Sequence, residues 1–450
     1  MISKCRFAPS PTGYLHVGNI RAAIINFLYA KKTGGNFYLR LDDTDIQRVK
    51  DEYRDAIIED LAWLGLDYKE IYYQSKRLEL YNDAKNKLIE NGRIYPCFET
   101  VEELEIQRKI QINSGVPPLY NRASLNLSNQ QKNELISSGR KPHYRFLLQN
   151  KKTSWFDKIK GDILYDGLHF SDPVLIRDNG VPTYTFCSVV DDIEMSITDI
   201  IRGEDHITNT AIQIQIFEAL GGKVPDFAHL SLIKANSGKI SKREGGFDIR
   251  SLRHEGYDPI TIVNFLSQIG TAESVKIYSN LGEVSNNFNF SKFSKSSTNY
   301  DITELENLNQ KVLQELEFSK VQESLNYHKL NSITQEIFNK LKSNLTLIID
   351  LKKWENILGL NFYKERSVED ADYLADITKF LPSDSKQENS WQLWLEEIKK
   401  QNYRLANAEL RKGKDLFLPI RFALTGLNDG PEMKVLITLF DRSEIIRRLK

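Results

Sequence analysis

Cysteine is scarce and scattered in this chain. Three stand among 450 residues, Cys5, Cys97 and Cys187, with no Cys-x-x-Cys spacing, which excludes a disulfide framework. Neither Cys97 nor the seven histidines offer the paired spacing of a structural zinc site, so no zinc is expected. Long apolar runs are missing as well, so no membrane-crossing helix and no membrane partner are expected. The first residues, Met-Ile-Ser-Lys-Cys-Arg, enter a strand without the apolar core of a signal peptide, and a cytoplasmic location is the default. An excess of either charge is also absent: 61 Lys and Arg balance 61 Asp and Glu. That excludes a uniformly basic nucleic-acid binder but leaves room for a local basic face. No internal repeat is found. What is present is the apolar and charged content of an ordinary globular protein, with length for about three domains.

The chain is organised around Ala8-Pro-Ser-Pro-Thr-Gly-Tyr-Leu-His-Val-Gly-Asn-Ile-Arg21. Residues 2–8 read as a short buried strand, and Val17, Ile20, Ile24, Phe27 and Leu28 share one face of a helix that stops at Gly34-Gly35. Pro9, Pro11 and Gly13 force a tight turn between them, which sets His16, Gly18 and Asn19 at the helix start. Unpaired N–H groups and the positive end of the helix dipole suit a polyphosphate there. Gly18 leaves space for a base or ribose against the backbone. The alternative is a strand–turn–helix whose glycines serve only the turn.

Downstream, residues 36–41 alternate like a strand and run into Asp42-Asp43-Thr44-Asp45, where open α/β sheets bind ligands. Helices are expected over 51–64 and 76–91. The strand–helix rhythm predicts a doubly wound, parallel, Rossmann-like sheet. From 96 to 182 the rhythm breaks into a helix (102–112), short strands (143–148, 173–177) and the Asn179-Gly180 turn, an α+β insertion between two sheet halves. The sheet then resumes with a helix (184–193), a strand (196–202), a helix (209–220) and a strand (228–233). That strand empties into a glycine-flanked basic loop carrying Lys239, Lys242 and Arg243, which has room to fold over bound phosphates. Two helices follow over 248–270, then a polar stretch, 285–300, reads as a linker. Helical patterns at 305–325, 333–353, 390–400 and 434–450 make the remainder all-helical. The expected divisions are 1–95 and 183–235 for the halves of the catalytic domain, 96–182 for the insertion, 236–300 for the mobile loop and a helical stem, and 301–450 for the helical region.

Ser10-Pro-Thr-Gly-Tyr-Leu-His-Val-Gly-Asn19 together with Lys239-Ile-Ser-Lys-Arg243 resembles the paired signatures of class I aminoacyl-tRNA synthetases. Arg6-Phe-Ala-Pro-Ser-Pro-Thr-Gly is similar to the bacterial glutamyl-tRNA synthetase version. The likeness continues through Asp43-Thr44-Asp45, Val189-Val190-Asp191-Asp192, Ile201-Arg202-Gly-Glu-Asp-His206 and Phe417-Leu-Pro-Ile-Arg-Phe-Ala-Leu-Thr-Gly426, nearly the whole chain.

The resemblance implies that glutamate and ATP give glutamyl-adenylate and pyrophosphate, and that the glutamyl group then passes to the 3′ end of tRNA-Glu. It implies ATP contacts from Ser10, His16, Gly18, Asn19, Asp205, Ile233, Lys239, Ser241 and Lys242, with His16, Asn19, Lys239 and Lys242 carrying the catalysis by positioning and charge. Mg2+ is expected on the phosphates, held largely by ATP oxygens and water. For glutamate it implies Arg6 and Arg202 as carboxylate partners, Ala8, Ser10 and Asp42 around the ammonium, and Tyr184 and Ser188 closing the pocket. A structural ion-pair role is the alternative for both arginines. Asp42 stands where the family usually has Glu, and Ser188 where bacterial members have Asn. The insertion is expected to hold the tRNA acceptor end and the helical region to read the anticodon, with Arg421, Gly430, Pro431 and Met433 nearest it. A monomer that needs tRNA before it activates glutamate is the family expectation. A paralogue charging tRNA-Gln for later amidation and a non-catalytic tRNA-binding paralogue are the alternatives.

Overall fold

The computed structural model describes residues 2–45, 47–235, 248–359, 362, 370–407 and 409–450. The chain divides into two compact units, Met1–Leu252 with Ile262–Asp301, and Arg253–Thr261 with Ile302–Lys450. Among the described residues, no helix is long and apolar enough to cross a membrane.

The first unit is built on a seven-stranded sheet. From one edge its order is Ile71–Tyr73, Asn36–Leu41, Lys4–Phe7, Asp199–Gly203, Asp226–Leu230, Lys152–Asp157 and Gly161–Asp166. All neighbours pair in parallel except the last two, which form an antiparallel hairpin. The central strands are buried almost throughout, and each carries a buried charged or polar residue among its apolar ones: Arg6, Arg40, Arg202 and His229. Asn36–Leu41, for example, buries every residue after the first. The chain starts at Lys4–Phe7, steps outward through two strands, and later returns on the other side of Lys4–Phe7 with Asp199–Gly203. This reversal opens a crevice at the carboxyl ends of those two strands, the place where doubly wound sheets bind ligands.

Close packing at the other end of the first strand depends on one glycine. A Cβ on Gly35 would lie 2.0 Å from the Ser3 carbonyl oxygen. Without it the backbone N–H of Asn36 donates to that same oxygen at 2.8 Å, which starts the parallel register of the first two strands.

Three expectations need correction. The insertion is not a body apart from the sheet, because its hairpin Lys152–Asp157/Gly161–Asp166 extends the main sheet as its outer edge. An alternating strand looks the same in sequence whichever sheet it joins. The expected strand at 228–233 ends at Leu230, and Ile233–Ala235 instead pairs in parallel with Thr298–Tyr300. That pairing also removes the linker at 285–300. Asn280 and Asn289 cap backbone N–H groups there, and Phe288, Phe293 and Tyr300 are buried.

In the second unit the regular elements described from Ile302 onward are helical; the helix expected at 390–400 is Ser390–Lys400, while the longer patterns break into shorter pieces. The 305–325 pattern breaks at Leu316-Glu317 into Ile302–Glu315 and Phe318–Tyr327, because Glu317 turns extended (φ −76°, ψ 148°). The core gathers Phe338, Trp354, Trp394, Ile420 and Leu436, and the Trp394 indole donates to the Ile377 carbonyl at 2.9 Å.

The corrected reading of 285–300 predicts that Phe288→Ala costs about 3 kcal/mol of stability by urea unfolding. Phe288 meets Tyr29 and Phe290 edge to face and Phe293 at a tilt. A change below about 0.5 kcal/mol, the ordinary surface range, is what a solvated linker would show.

Candidate active site

The crevice holds a cleft of about 240 Å³. Of the residues expected to form the site, Arg6, Ala8, His16, Gly18, Asn19, Tyr184, Arg202, Asp205 and Ile233 line it. Ser10, Asp42 and Ser188 do not, and Lys239, Ser241 and Lys242 lie outside the described residues. Among the described residues, three arginines, Arg6, Arg21 and Arg202, line the cleft against one carboxylate residue, Asp205. The site therefore has the electrostatics of an anion receptor.

Arg202 decides its character. It stands near the carboxyl end of Asp199–Gly203 and is buried, yet no carboxylate among the described residues pairs with it. Its nitrogens are held by neutral acceptors. Nη1 donates to the Tyr184 hydroxyl at 3.2 Å, and Nη2 donates to Thr210 Oγ1 and Gln213 Oε1 at 2.7 Å each. Burial pushes its pKa down, and Arg6 nearby adds repulsion. A buried charge without a counter-ion is costly, so the site gains when an anion arrives. Ser188 acts behind this wall: its hydroxyl accepts from Gln213 Nε2 and donates to the Tyr184 carbonyl, both at 2.7 Å.

Arg6 is arranged differently. Its Nε and Nη2 donate to Asp192 at 2.9 and 3.2 Å, and Arg40 joins Asp192 to Asp42 at 2.8 and 2.7 Å. Asp42 is thus turned away from the cleft because Arg40, two residues earlier on the same strand face, takes both of its oxygens. Burial pushes Asp42 up to about 6 against the pull of Arg40. Burial also opposes ionisation of Asp192, but Arg6 and Arg40 outweigh it and hold that carboxyl below its usual range.

The first helix, Val17–Lys32, begins at His16, whose backbone is extended. The His16 ring caps it: Nδ1 accepts from the backbone N–H groups of Gly18 (3.1 Å) and Asn19 (3.4 Å). A Cβ on Gly18 would meet His16 Cε1 at 2.9 Å, so the glycine also leaves room for the capping ring.

A family model described as "tRNA synthetases class I (E and Q), catalytic domain" matches residues 3–307, and one described as "Anticodon binding domain" matches residues 359–450. The chain is 47% identical to glutamate–tRNA ligase 1 of Rickettsia felis over 452 residues, covering 99% of this chain and 98% of that one. The chain belongs to the glutamate–tRNA ligase family. It is also 48% identical to glutamate–tRNA ligase 2 of Orientia tsutsugamushi over 446 residues, again covering 99% of this chain and 98% of that protein. In structure it is similar to a glutamate tRNA ligase from Elizabethkingia meningosepticum crystallised in complex with its amino acid, with a TM-score of 0.84, 26% identity, and coverage of 100% of this chain and 98% of that one.

Several members of this ligase site escape a reading by spacing. Arg21 lines the cleft from the first helix and clamps the carbonyls of Ser231 and Ile269 at 2.9 Å each, with burial lowering its pKa to about 10. His206 stands at the end of the Ile201–His206 motif, which was the available signal. Thr210, Gln213, His229 and Asp157 surround Arg202 or its partners and carry no sequence signature. In the second unit, Arg421, Pro431 and Met433 are buried and Gly430 is exposed, with Arg421 beside Gly430 and Trp354.

Spacing also hides one cluster of donors. Strand pairing sets Cys97 opposite His143, and these two with Glu99 bring candidate ligand atoms within 4.8 Å of one another. Glu99 accepts from Tyr120 (2.8 Å) and Ser124 (3.0 Å), and burial pushes the Cys97 thiol up to about 11. Burial also lowers the His143 pKa, and its Nε2 is buried with no hydrogen-bond partner.

The positive field of the ligase cleft predicts a pH effect at His206. Burial, then repulsion from Arg202, lowers its pKa from 6.5 to about 4. The unfolded chain takes up a proton in that window that the folded chain refuses, so stability falls as pH drops from about 6.5 to about 4. Urea unfolding at pH 7 and pH 5 should show a smaller loss in His206→Asn than in the parent. Equal losses would contradict the assignment.

Proposed function

We propose that this chain is a glutamate–tRNA ligase. It activates glutamate with ATP, releases pyrophosphate, and transfers the glutamyl group to the 3′ end of tRNA-Glu. The observation that carries this reading is the buried Arg202 guanidinium in the cleft with neutral acceptors only. In it, Arg202 with Tyr184 receives one glutamate carboxylate, the outward edge of Arg6 the other, and the backbone at Ala8 the ammonium, with Ser10 at the adjoining turn. Asp42 and Ser188 act one step back, through Arg40 and Gln213.

ATP lies along His16, Gly18 and Asn19 at the helix start, near Asp205 and Ile233. The glutamate α-carboxylate attacks the α-phosphorus, the bond to the pyrophosphate oxygen breaks, and negative charge moves onto the leaving group. Lys239, Ser241 and Lys242 belong to this step as charge stabilisers. Among the described residues one carboxylate lines the cleft, too few to build a Mg2+ cage, which fits a Mg2+ carried on the triphosphate with water. The insertion at 96–182 holds the acceptor end, and the helical region from 301 reads the anticodon through the surroundings of Arg421, Gly430, Pro431 and Met433. The enzyme works as a cytoplasmic monomer.

Charging tests this reading. With ATP and labelled glutamate, purified protein should glutamylate tRNA-Glu, and Arg202→Gln should lower kcat/KM for glutamate roughly a hundredfold. Charging of tRNA-Gln alone would move the reading to the amidation-linked paralogue. Charging of neither tRNA would overturn it.

A further inference from the structure

Arg202 is oriented by a chain of hydrogen bonds that runs out of the cleft and ends on a carboxylate. Asp157 closes the strand Lys152–Asp157, and His229 lies on the adjoining strand Asp226–Leu230. Both side chains are completely buried. Asp157 Oδ1 accepts from the backbone N–H groups of Ile159 (3.0 Å), Lys160 (2.9 Å) and His229 (3.2 Å), and Oδ2 faces His229 Nδ1 at 2.6 Å. A carboxyl group that already accepts three backbone N–H bonds is an ionised carboxylate. Burial opposes its charge, but the His229 contact and the backbone donors outweigh that and keep its pKa below the usual range.

An ionised carboxylate only accepts, so His229 carries its hydrogen on Nδ1 and presents a lone pair at Nε2. Burial holds the ring neutral. Thr210 Oγ1 lies 3.0 Å from Nε2 and 3.2 Å from the His206 carbonyl; with a lone pair at Nε2 its hydroxyl donates to the nearer ring nitrogen and turns its own lone pairs to Arg202 Nη2 at 2.7 Å. Arg202 Nε faces the same Nε2 at 3.5 Å. Every hydrogen in the series points from Arg202 toward Asp157.

We propose that Asp157 and His229 are positioning residues for the substrate's acid group: Asp157 fixes the His229 tautomer, and His229 with Thr210 orients Arg202 without neutralising it. The inference rests on the reading of the cleft as a glutamate-activating site. A carboxylate placed directly on Arg202 would cancel the charge that an acidic substrate needs. Set behind an imidazole, the same carboxylate fixes geometry and leaves the charge facing the cleft. In the other tautomer an Nε2–H would face the Arg202 Nε–H donor against donor, and the Thr210 hydrogen would turn away to the His206 carbonyl.

The test is Asp157→Asn, which keeps the volume and an oxygen for the backbone N–H groups. Its amide donates to Nδ1 and drives the hydrogen to Nε2. In ATP–pyrophosphate exchange with tRNA present, KM for glutamate should rise roughly tenfold while KM for ATP and kcat stay within about twofold. Nitrogen-15 spectra of histidine-labelled protein should show the His229 hydrogen moving from Nδ1 to Nε2. Should that variant not fold, Thr210→Val removes the hydroxyl at nearly constant shape and should raise the same KM. A shifted tautomer with unchanged glutamate KM, or equal rises in both KM values, overturns the proposal. A parent protein inactive in exchange overturns the reading of the cleft instead, while the tautomer measurement still reports on Asp157.

Discussion

A guanidinium taken out of water, with no carboxylate in ion-pair contact among the described residues, is the constraint that the rest of this site serves. Arg202 is buried at the switch point of a doubly wound sheet, and its neighbours accept its hydrogens without offsetting its charge. Desolvating such a group costs several kcal/mol, which the fold carries in the absence of ligand. Tyr184, Thr210, Gln213 and His229 limit that cost by satisfying its donors. What stays unbalanced is the net charge, and that is available to an acid entering the cleft.

The remaining charges of the pocket wall show the contrast. Arg6, Arg40, Asp42 and Asp192 form one buried network, and Asp191 continues it to Arg77 and the amide of Gln74. Removing any member would leave an opposite charge unpaired in the interior, at a cost of about 3–5 kcal/mol. This network is the rigid footing of the first two strands and the helix Tyr184–Glu194. One structure thus keeps two kinds of arginine side by side: Arg6 anchored through Nε and Nη2 in an ion-pair network, and Arg202 held by neutral partners.

How much of this is legible in the sequence depends on range. The strand–turn–helix around His16 is legible because prolines, glycines and apolar period act locally. Arg6 and Arg202 are legible as a pair only through their motifs, and Asp42 misleads because an acidic strand end reads alike whether it faces a ligand or the arginine two residues before it. The outer hairpin and the strand at Thr298–Tyr300 are not legible, since edge pairing is decided by tertiary partners. Nor is the stretch at 285–300, where Ser and Asn look like solvation but cap turns between buried phenylalanines. Asp157 and His229 lie farthest from view, because no spacing rule links an insertion hairpin to the strand beside it.

The central claim is that an unneutralised Arg202 makes the cleft a receptor for an acid. The most direct measurement compares glutamate with glutamine, equal in size but lacking the second charge, in ATP–pyrophosphate exchange with tRNA present. The account predicts that glutamate is preferred in kcat/KM by roughly a thousandfold or more, because glutamine brings no anion to the buried guanidinium. Comparable rates with the two amino acids would contradict it.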